Sequence, residues 1–482
     1  MISVILPLIF ACGPKEVKET STSAATRIHS TMPKPLAPRP FNMPTLQEGK
    51  LSNGIPVALS FNDEAPLVNI WITFDEGGFT DPDNAIGLAS MTMDMLDEGA
   101  ANKNAAELSK SLKALASSLG TGASTDGAYL SLKALSHQVE PTLAIAKNIL
   151  LSPNFPKDKW ELQQKKALQN LAANKKNPRR TASRVMNSLM FGSDYMGRTR
   201  TEEGLKAIDT DQMKRWHETH IQPQKAKIWV SGNADLKTLI PQLDAAFGTW
   251  SVKEPAKKYE AGKGNDKASP KGTVIYLVDN PGASQSVIRI GQYIGRRQDA
   301  ETLHLSLANQ AIGGMFTARI NMNLREDKGW TYGARSWQSY SHHPGMWNAS
   351  TNIVTKHTAD GLREIISEVR NSMGEKPITE QEFSDSKGAM LNKWPLQFEN
   401  ASNLLSQNID RLRYSLPDDW IASYPDRVRS VTLVQAQDAW NNTIDPEKMT
   451  IVIVGDKASI SAGLNELGYS IIDVDEMGRP IE

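Results

Sequence analysis

The sequence predicts an α+β fold built as two like domains, and three observations carry that expectation. At 482 residues the chain is too long for one ordinary core. The segment beginning "IPVALSFNDEAPLVNIWITFDEGGFTDPDNAIGLAS" near residue 55 repeats in pattern as "TVIYLVDNPGASQSVIRIGQYIGRRQDAETLHLSLA" near residue 273. Each reads as a short strand, a turn with Pro, a longer strand, a polar turn and a helix, so the repeat is about one domain long. Strands and helices then follow in runs that do not alternate strictly, which argues for helices packed on a mainly antiparallel sheet.

From the amino terminus, an apolar stretch "MISVILPLIFA" ends at Cys12, the only cysteine of the chain. A short apolar run closed by a small residue and a cysteine looks like a bacterial lipoprotein signal, residues 1–12, with Cys12 as the lipidated residue. An ordinary secretory signal with an incidental cysteine is the alternative. A lone cysteine excludes a disulfide within the chain. Residues 13–45, rich in Ser, Thr, Lys and Pro, read as a flexible tether.

The first domain is expected over 46–251. It contains an Asp-Gly turn in "GASTDGAYLSLKAL", helices in "VEPTLAIAKNILLS", "KDKWELQQKKALQNLAANKK" and "TASRVMNSLMFG", the strand "KAKIWVSG" and a last helix. Residues 252–272, charged and without apolar period, read as an exposed linker. The second domain, 273–475, repeats the order: two strands in "GARSWQSYSHHPGMWNASTNI", helices at "TADGLREIISEVRNSM", "TEQEFSDSKGAMLNKW" and "ASNLLSQNIDRLRYSL", and "KMTIVIVGD" mirroring "KAKIWVSGN".

Composition narrows the function. Lys+Arg and Asp+Glu are both 54, and no basic block stands out, so nucleic acid is a poor partner. No apolar run is long enough to span a bilayer, which leaves the lipid anchor as the only membrane attachment. "GLASMTMDMLDEGA", residues 87–100, reads as a short amphipathic helix stopped by Asp97, Glu98 and Gly99. Ser90 and Asp94 share one face at the spacing a zinc-binding helix gives its two histidines. His217 and His220 in "HETH", and the adjacent His342 and His343, have the wrong pattern for a metal site and read as ordinary surface histidines. No G-x-S-x-G elbow is present, and Cys12 is spent at the amino terminus.

The chain resembles the insulinase/pitrilysin family of zinc peptidases, in its short, processing-peptidase-like branch. The resemblance spans about residues 45–470 and rests on the duplicated domain and three stretches: "LSNGIPVALSFNDEAPLVNIWITFDEGG", "GLASMTMDMLDEG" and "GGMFTARINMNLREDKGWTYGARSW". It implies two homologous domains forming half of a clamshell. In that family the first domain carries H-x-x-E-H, two metal ligands and a general base. Aligned on Gly87, those positions are Ser90, Met93 and Asp94, and the further glutamate ligand falls near Gln169 and Asn170. Every ligand is altered, and Met93 takes no proton from water.

The resemblance also gives Arg325 and Tyr332 the place of the Arg/Tyr pair that binds substrate and stabilises the transition state in the second domain. The implied function is therefore a non-catalytic subunit. It holds no metal or other cofactor itself; zinc is expected in a homologous H-x-x-E-H partner, and the pair cleaves unfolded peptides. A peptidase-like scaffold or peptide-binding protein without such a partner is the alternative. Metallopeptidase activity is expected only with the partner. The expected location is the periplasmic side of a bacterial envelope, lipid-anchored, in the outer membrane.

Overall fold

A computed structural model describes residues 44–251, 271–341 and 344–481. Cys12 and the leader, nearly all of the tether, all but the last two residues of the linker, and His342 and His343 lie outside the described residues.

Two six-stranded sheets organise the chain. Across the first, the strands run Gln47–Lys50, Pro56–Phe61, Ala226–Gly232, Leu67–Phe74, Ala128–Leu135 and Ser118–Ala123. Only Pro56–Phe61 and Ala226–Gly232 are parallel neighbours. Leu67–Phe74 shows why these residues make a strand: Val68, Ile70, Ile72 and Phe74 are buried on one face at period two. Ile70 sits opposite Leu132 on one side and Val230 on the other.

The second sheet runs Thr331–Ser339, Met346–Val354, Gln285–Tyr293, Thr450–Gly455, Val274–Asp279 and Ser470–Asp473. It repeats the plan of the first. In each sheet the strand that opens the half lies parallel to the strand that follows its helices. The halves differ at one edge. The first takes Gln47–Lys50, antiparallel, from before its opening strand; the second takes Ser470–Asp473, parallel, from the end of the chain.

Each sheet packs its own helices on one face. Leu143, Ile149, Leu239 and Leu243 belong to the first core; Leu362, Ile366 and Trp440 belong to the second. The opposite faces are covered by exchange. Helix Pro178–Phe191 of the first half lays Ala182, Val185, Met186 and Met190 against Val287, Val452 and Val454 of the second sheet. Helix Ala401–Arg413 of the second half sets Leu405 against Ala58 and Trp229 of the first sheet. Both helices are present where the sequence places them, but each serves the other half's sheet.

Two irregular helical turns follow the second half's first helix, at Gln310–Gly314 and Met322–Asp327, and both are π-helical. Gly313 is required there: a Cβ on it would collide with the Ser336 side chain. Among the described residues no helix is long and apolar enough to cross a membrane.

Candidate functional site

Ser90, Met93 and Asp94, the positions read from the sequence as an altered metal motif, lie on helix Leu88–Asp94. Its entry is built by Asp81, buried to 5 % exposure, whose two oxygens accept from the N–H groups of Gly87 (2.6 Å) and Ala89 (2.8 Å). Burial pushes the Asp81 carboxyl above its usual range, against the pull of those two N–H groups and of Arg198. Gly87 has φ 107°, a left-handed conformation, and a Cβ on it would collide with the Arg200 guanidinium. Leu88, Ala89, Thr92 and Met93 are buried, which is why the helix persists without its ligands.

The helix ends at Asp94 with Met95 as its cap, earlier than the stop expected at Asp97–Gly99. The Thr121 hydroxyl takes the carbonyl of Met93 at 2.6 Å, satisfying a helix-end acceptor from outside. Gly99 instead pairs with Asn104 in a two-residue ladder.

The three motif positions have different fates. Met93 is fully buried in the first core. Asp94 is exposed and lines a cleft of about 490 Å³ between the motif helix and helices Lys157–Lys175 and Pro178–Phe191. Desolvation by the cleft walls around its carboxyl raises its pKa; Arg200 lowers it and Asp97 raises it further. Ser90 donates to the Gly87 carbonyl (3.0 Å) and accepts from Nη2 of Arg200 at 2.7 Å. Asn170 lines the same cleft, whereas Gln169 is exposed and outside its lining.

These residues do not fit a zinc ion. Ser90 is already engaged by a guanidinium, Asn170 offers an amide, and Asp94 is a single carboxylate. A fixed cation on the first ligand position repels a second one. Glu98 does not complete a set, since Gln163 Nε2 donates to its Oε1 at 2.7 Å. Among the described residues no group of three or more His, Cys, Asp or Glu is placed to hold a metal.

The cleft is basic. Lys166, Arg180, Arg184 and Arg200 line it, against Asp94 as the lone carboxylate. The sequence reading missed these residues. Their signal was "RRTASR" at 179–184 and "RTR" at 198–200, too short to stand out in a chain of zero net charge.

The "HETH" histidines are not the ordinary surface residues expected. His217 Nε2 is bonded to the Leu150 carbonyl at 2.8 Å, and burial lowers its pKa. His220 Nδ1 and the Lys225 ammonium both contact Glu76, itself 6 % exposed. Helix Thr210–His220 turns these side chains inward because Met213 and Trp216 bury its inner face.

In the second half, Arg325 lies in the π-helical turn Met322–Asp327 and Tyr332 on strand Thr331–Ser339. Arg325 pairs with Glu326 at 3.2 Å and sits over the Phe316 ring at 4.6 Å. Tyr332 is 91 % exposed, far more than its neighbours in the strand, of which Thr331, Ala334 and Ser336 are buried. Its ring therefore contributes little to packing and is free to meet a ligand.

Two α+β halves built on one plan define the class: a duplicated α+β fold of the peptidase-like type, with no group of three or more metal-ligating side chains placed together among the described residues. Comparison with known proteins gives the family. Residues 57–202 match the insulinase (peptidase family M16) domain, and residues 207–390 match the peptidase M16 inactive domain. The chain belongs to the M16 insulinase family.

Similar proteins include the Helicobacter pylori "non-peptidase homolog YmxG", 22% identical over 84% of this chain and 92% of that protein. Another is the "uncharacterized zinc protease YmxG" of Bacillus subtilis, 20% identical over 74% and 85%. Among solved structures, the peptidase M16 inactive domain from Pseudomonas fluorescens superposes with a TM-score of 0.77 at 23% identity, covering 85% of this chain and 98% of that one. The first half of the periplasmic protease PqqL from Escherichia coli gives a TM-score of 0.69 at 13% identity, covering 89% and 98%. At these identities the structures establish the fold alone: two α+β halves of the M16 type.

Proposed function

We propose that this chain is the non-catalytic subunit of a heterodimeric M16 peptidase. The observation that carries this reading is the guanidinium of Arg200 on Ser90, at the position of a metal ligand, while Tyr332 stands exposed in the other half. The first denies the chain its own metal; the second leaves a hydroxyl for chemistry centred elsewhere. A homologous partner would carry H-x-x-E-H and the zinc. Tyr332 and Arg325 would donate hydrogen bonds to the carbonyl oxygen of an extended peptide as charge develops on it. The name of the Helicobacter relative, a non-peptidase homolog, supports the non-catalytic part. The chain would act at the periplasmic side of the envelope, anchored through Cys12 in the outer membrane.

A second reading, a peptide-binding scaffold without a proteolytic partner, draws on Arg325. Its guanidinium is already paired with Glu326 and stacked on Phe316.

The test is purification with the zinc-bearing partner. The chain alone should hold no stoichiometric zinc and cleave nothing. In the pair, Tyr332→Phe should lower turnover on the order of 10²-fold with the complex intact, as for other oxyanion donors. Turnover within about twofold of the parent would favour the scaffold.

A further inference from the structure

The cleft beside the motif helix has a property that loss of zinc alone does not require. Four cationic side chains line it with one lining carboxylate, Asp94, among the described residues; behind the lining, Glu476 and Asp475 offset Arg184, and Asp81 joins Asp94 in offsetting Arg200. Lys166 and Arg180 have no carboxylate partner among the described residues, and Arg200 makes its hydrogen bond to a neutral hydroxyl. Arg184 spends Nε on the Glu476 carbonyl (2.8 Å) and Nη2 on the Thr181 hydroxyl (3.2 Å), which leaves Nη1.

Behind the wall lies a further cation. Arg289, on strand Gln285–Tyr293, donates to the hydroxyl of Ser183, a cleft residue, and stacks over Trp337 at 5.4 Å. Among the described residues its Nε is buried without a hydrogen-bond partner, and desolvation lowers its pKa. Arg289 is part-buried and outside the cleft lining, and it adds positive potential behind Ser183 that an anion in the cleft would meet.

We propose that this cleft is a carboxylate-binding subsite for peptide, with Arg180 and Arg200 as the principal contacts. The planar guanidinium fork matches a carboxylate with two parallel hydrogen bonds. The amides of Gln163, Asn170 and Asn174 on the facing helix supply donors and acceptors for the adjoining peptide backbone. A volume of about 490 Å³ fits one or two residues rather than a folded partner. The ligand is thus the terminal carboxylate of an extended peptide or an Asp or Glu side chain within it. The position that would hold a metal cation in a catalytic chain here holds fixed cations, and it anchors the peptide instead of cutting it. The inference rests on the peptide binding common to both functional readings and needs no zinc-bearing partner.

The experiment uses the isolated chain and a fluorescein-labelled neutral octapeptide in three forms: free carboxylate, carboxy-terminal amide, and amide with one internal Glu. Anisotropy should show the free acid or the Glu peptide bound at least about tenfold more tightly than the neutral amide, with the difference shrinking at high salt. The two acidic forms separate the two carboxylate sources. Arg180→Gln, at an exposed position, and Arg200→Gln should each erase most of the difference; Lys214→Gln, a surface cation outside the cleft, should not. Equal binding of all three peptides, with peptide binding retained, overturns the subsite and leaves the peptide-binding reading standing. Competition by inorganic phosphate more strongly than by acetate, at equal charge and ionic strength, also overturns it. Binding of none of the peptides overturns both.

Discussion

Rebuilding the zinc ligands on this chain should fail while Arg200 is present. The perturbation is Ser90→His, Asp94→His and Asn170→Glu, made with and without Arg200→Ala. Met93, fully buried, is left alone because a glutamate there would place a charge in the core. Arg200 Nη2 lies 2.7 Å from the Ser90 hydroxyl. An imidazole in place of that hydroxyl, with a metal about 2 Å beyond its nitrogen, puts ion and guanidinium on the order of 5 Å apart. At an effective dielectric constant of about 20, Coulomb's law gives a repulsion of about 7 kcal/mol between a divalent ion and a unit charge at that distance. The arginine can swing aside and recover more than half of this. A residue of about 2.7 kcal/mol is a hundredfold in affinity. Zinc affinity is measured by competition with a chromophoric chelator. The expected result is at least a hundredfold tighter binding with Arg200→Ala than without it. Equal affinities would refute the argument that Arg200 blocks this site.

Two further outcomes are expected. Burial opposes ionisation of Glu382, but the paired hydrogen bonds from Arg319 (2.6 Å each) and those from Thr379 outweigh it and pull the pKa from 4.5 to about 2. Because the folded-state value is depressed, this stabilisation is present above about pH 4.5 and lost as the pH falls toward 2. After allowing for solvent screening it is on the order of 1–2 kcal/mol. In urea denaturation the deficit of Glu382→Gln should be visible at pH 7 and shrink by pH 3; a deficit independent of pH would show that the ion pair is not its source. Cys12→Ser should release the chain from the membrane fraction, and a variant that sediments with membranes as the parent does would remove the anchor from the proposal.

The element order was legible because period-two and period-3.6 patterns are local. Leu67–Phe74 alternates cleanly, and Lys157–Lys175 ends where "NKKNP" breaks it. The duplication was equally plain, since it is a comparison of the sequence with itself. What the residues withheld is non-local. Nothing near Arg200 marks it as the partner of Ser90, 110 positions away. Arg180 and Arg184 belong to a helix whose apolar face reads as ordinary amphipathicity, and only folding shows that this face leaves its own half. The histidines were misread for the same reason: Leu150 and Glu76, which hold them, are distant in sequence.

The exchange of helices between the halves sets an order of events on the growing chain. The first sheet is complete in sequence at Gly232, yet the cover that Leu405 and Ile409 give Ala58 and Trp229 comes only with residues 401–413. Helix Pro178–Phe191 is made early and meets Val287 first, but Val452 and Val454 of strand Thr450–Gly455 complete its seat only at the far end of the chain. Each half therefore completes its packing only with a helix or strand from the other. The duplication, which looks like two independent units in sequence, is thus tied in both directions by packing, and part of that tie is made by the carboxy-terminal strand Thr450–Gly455.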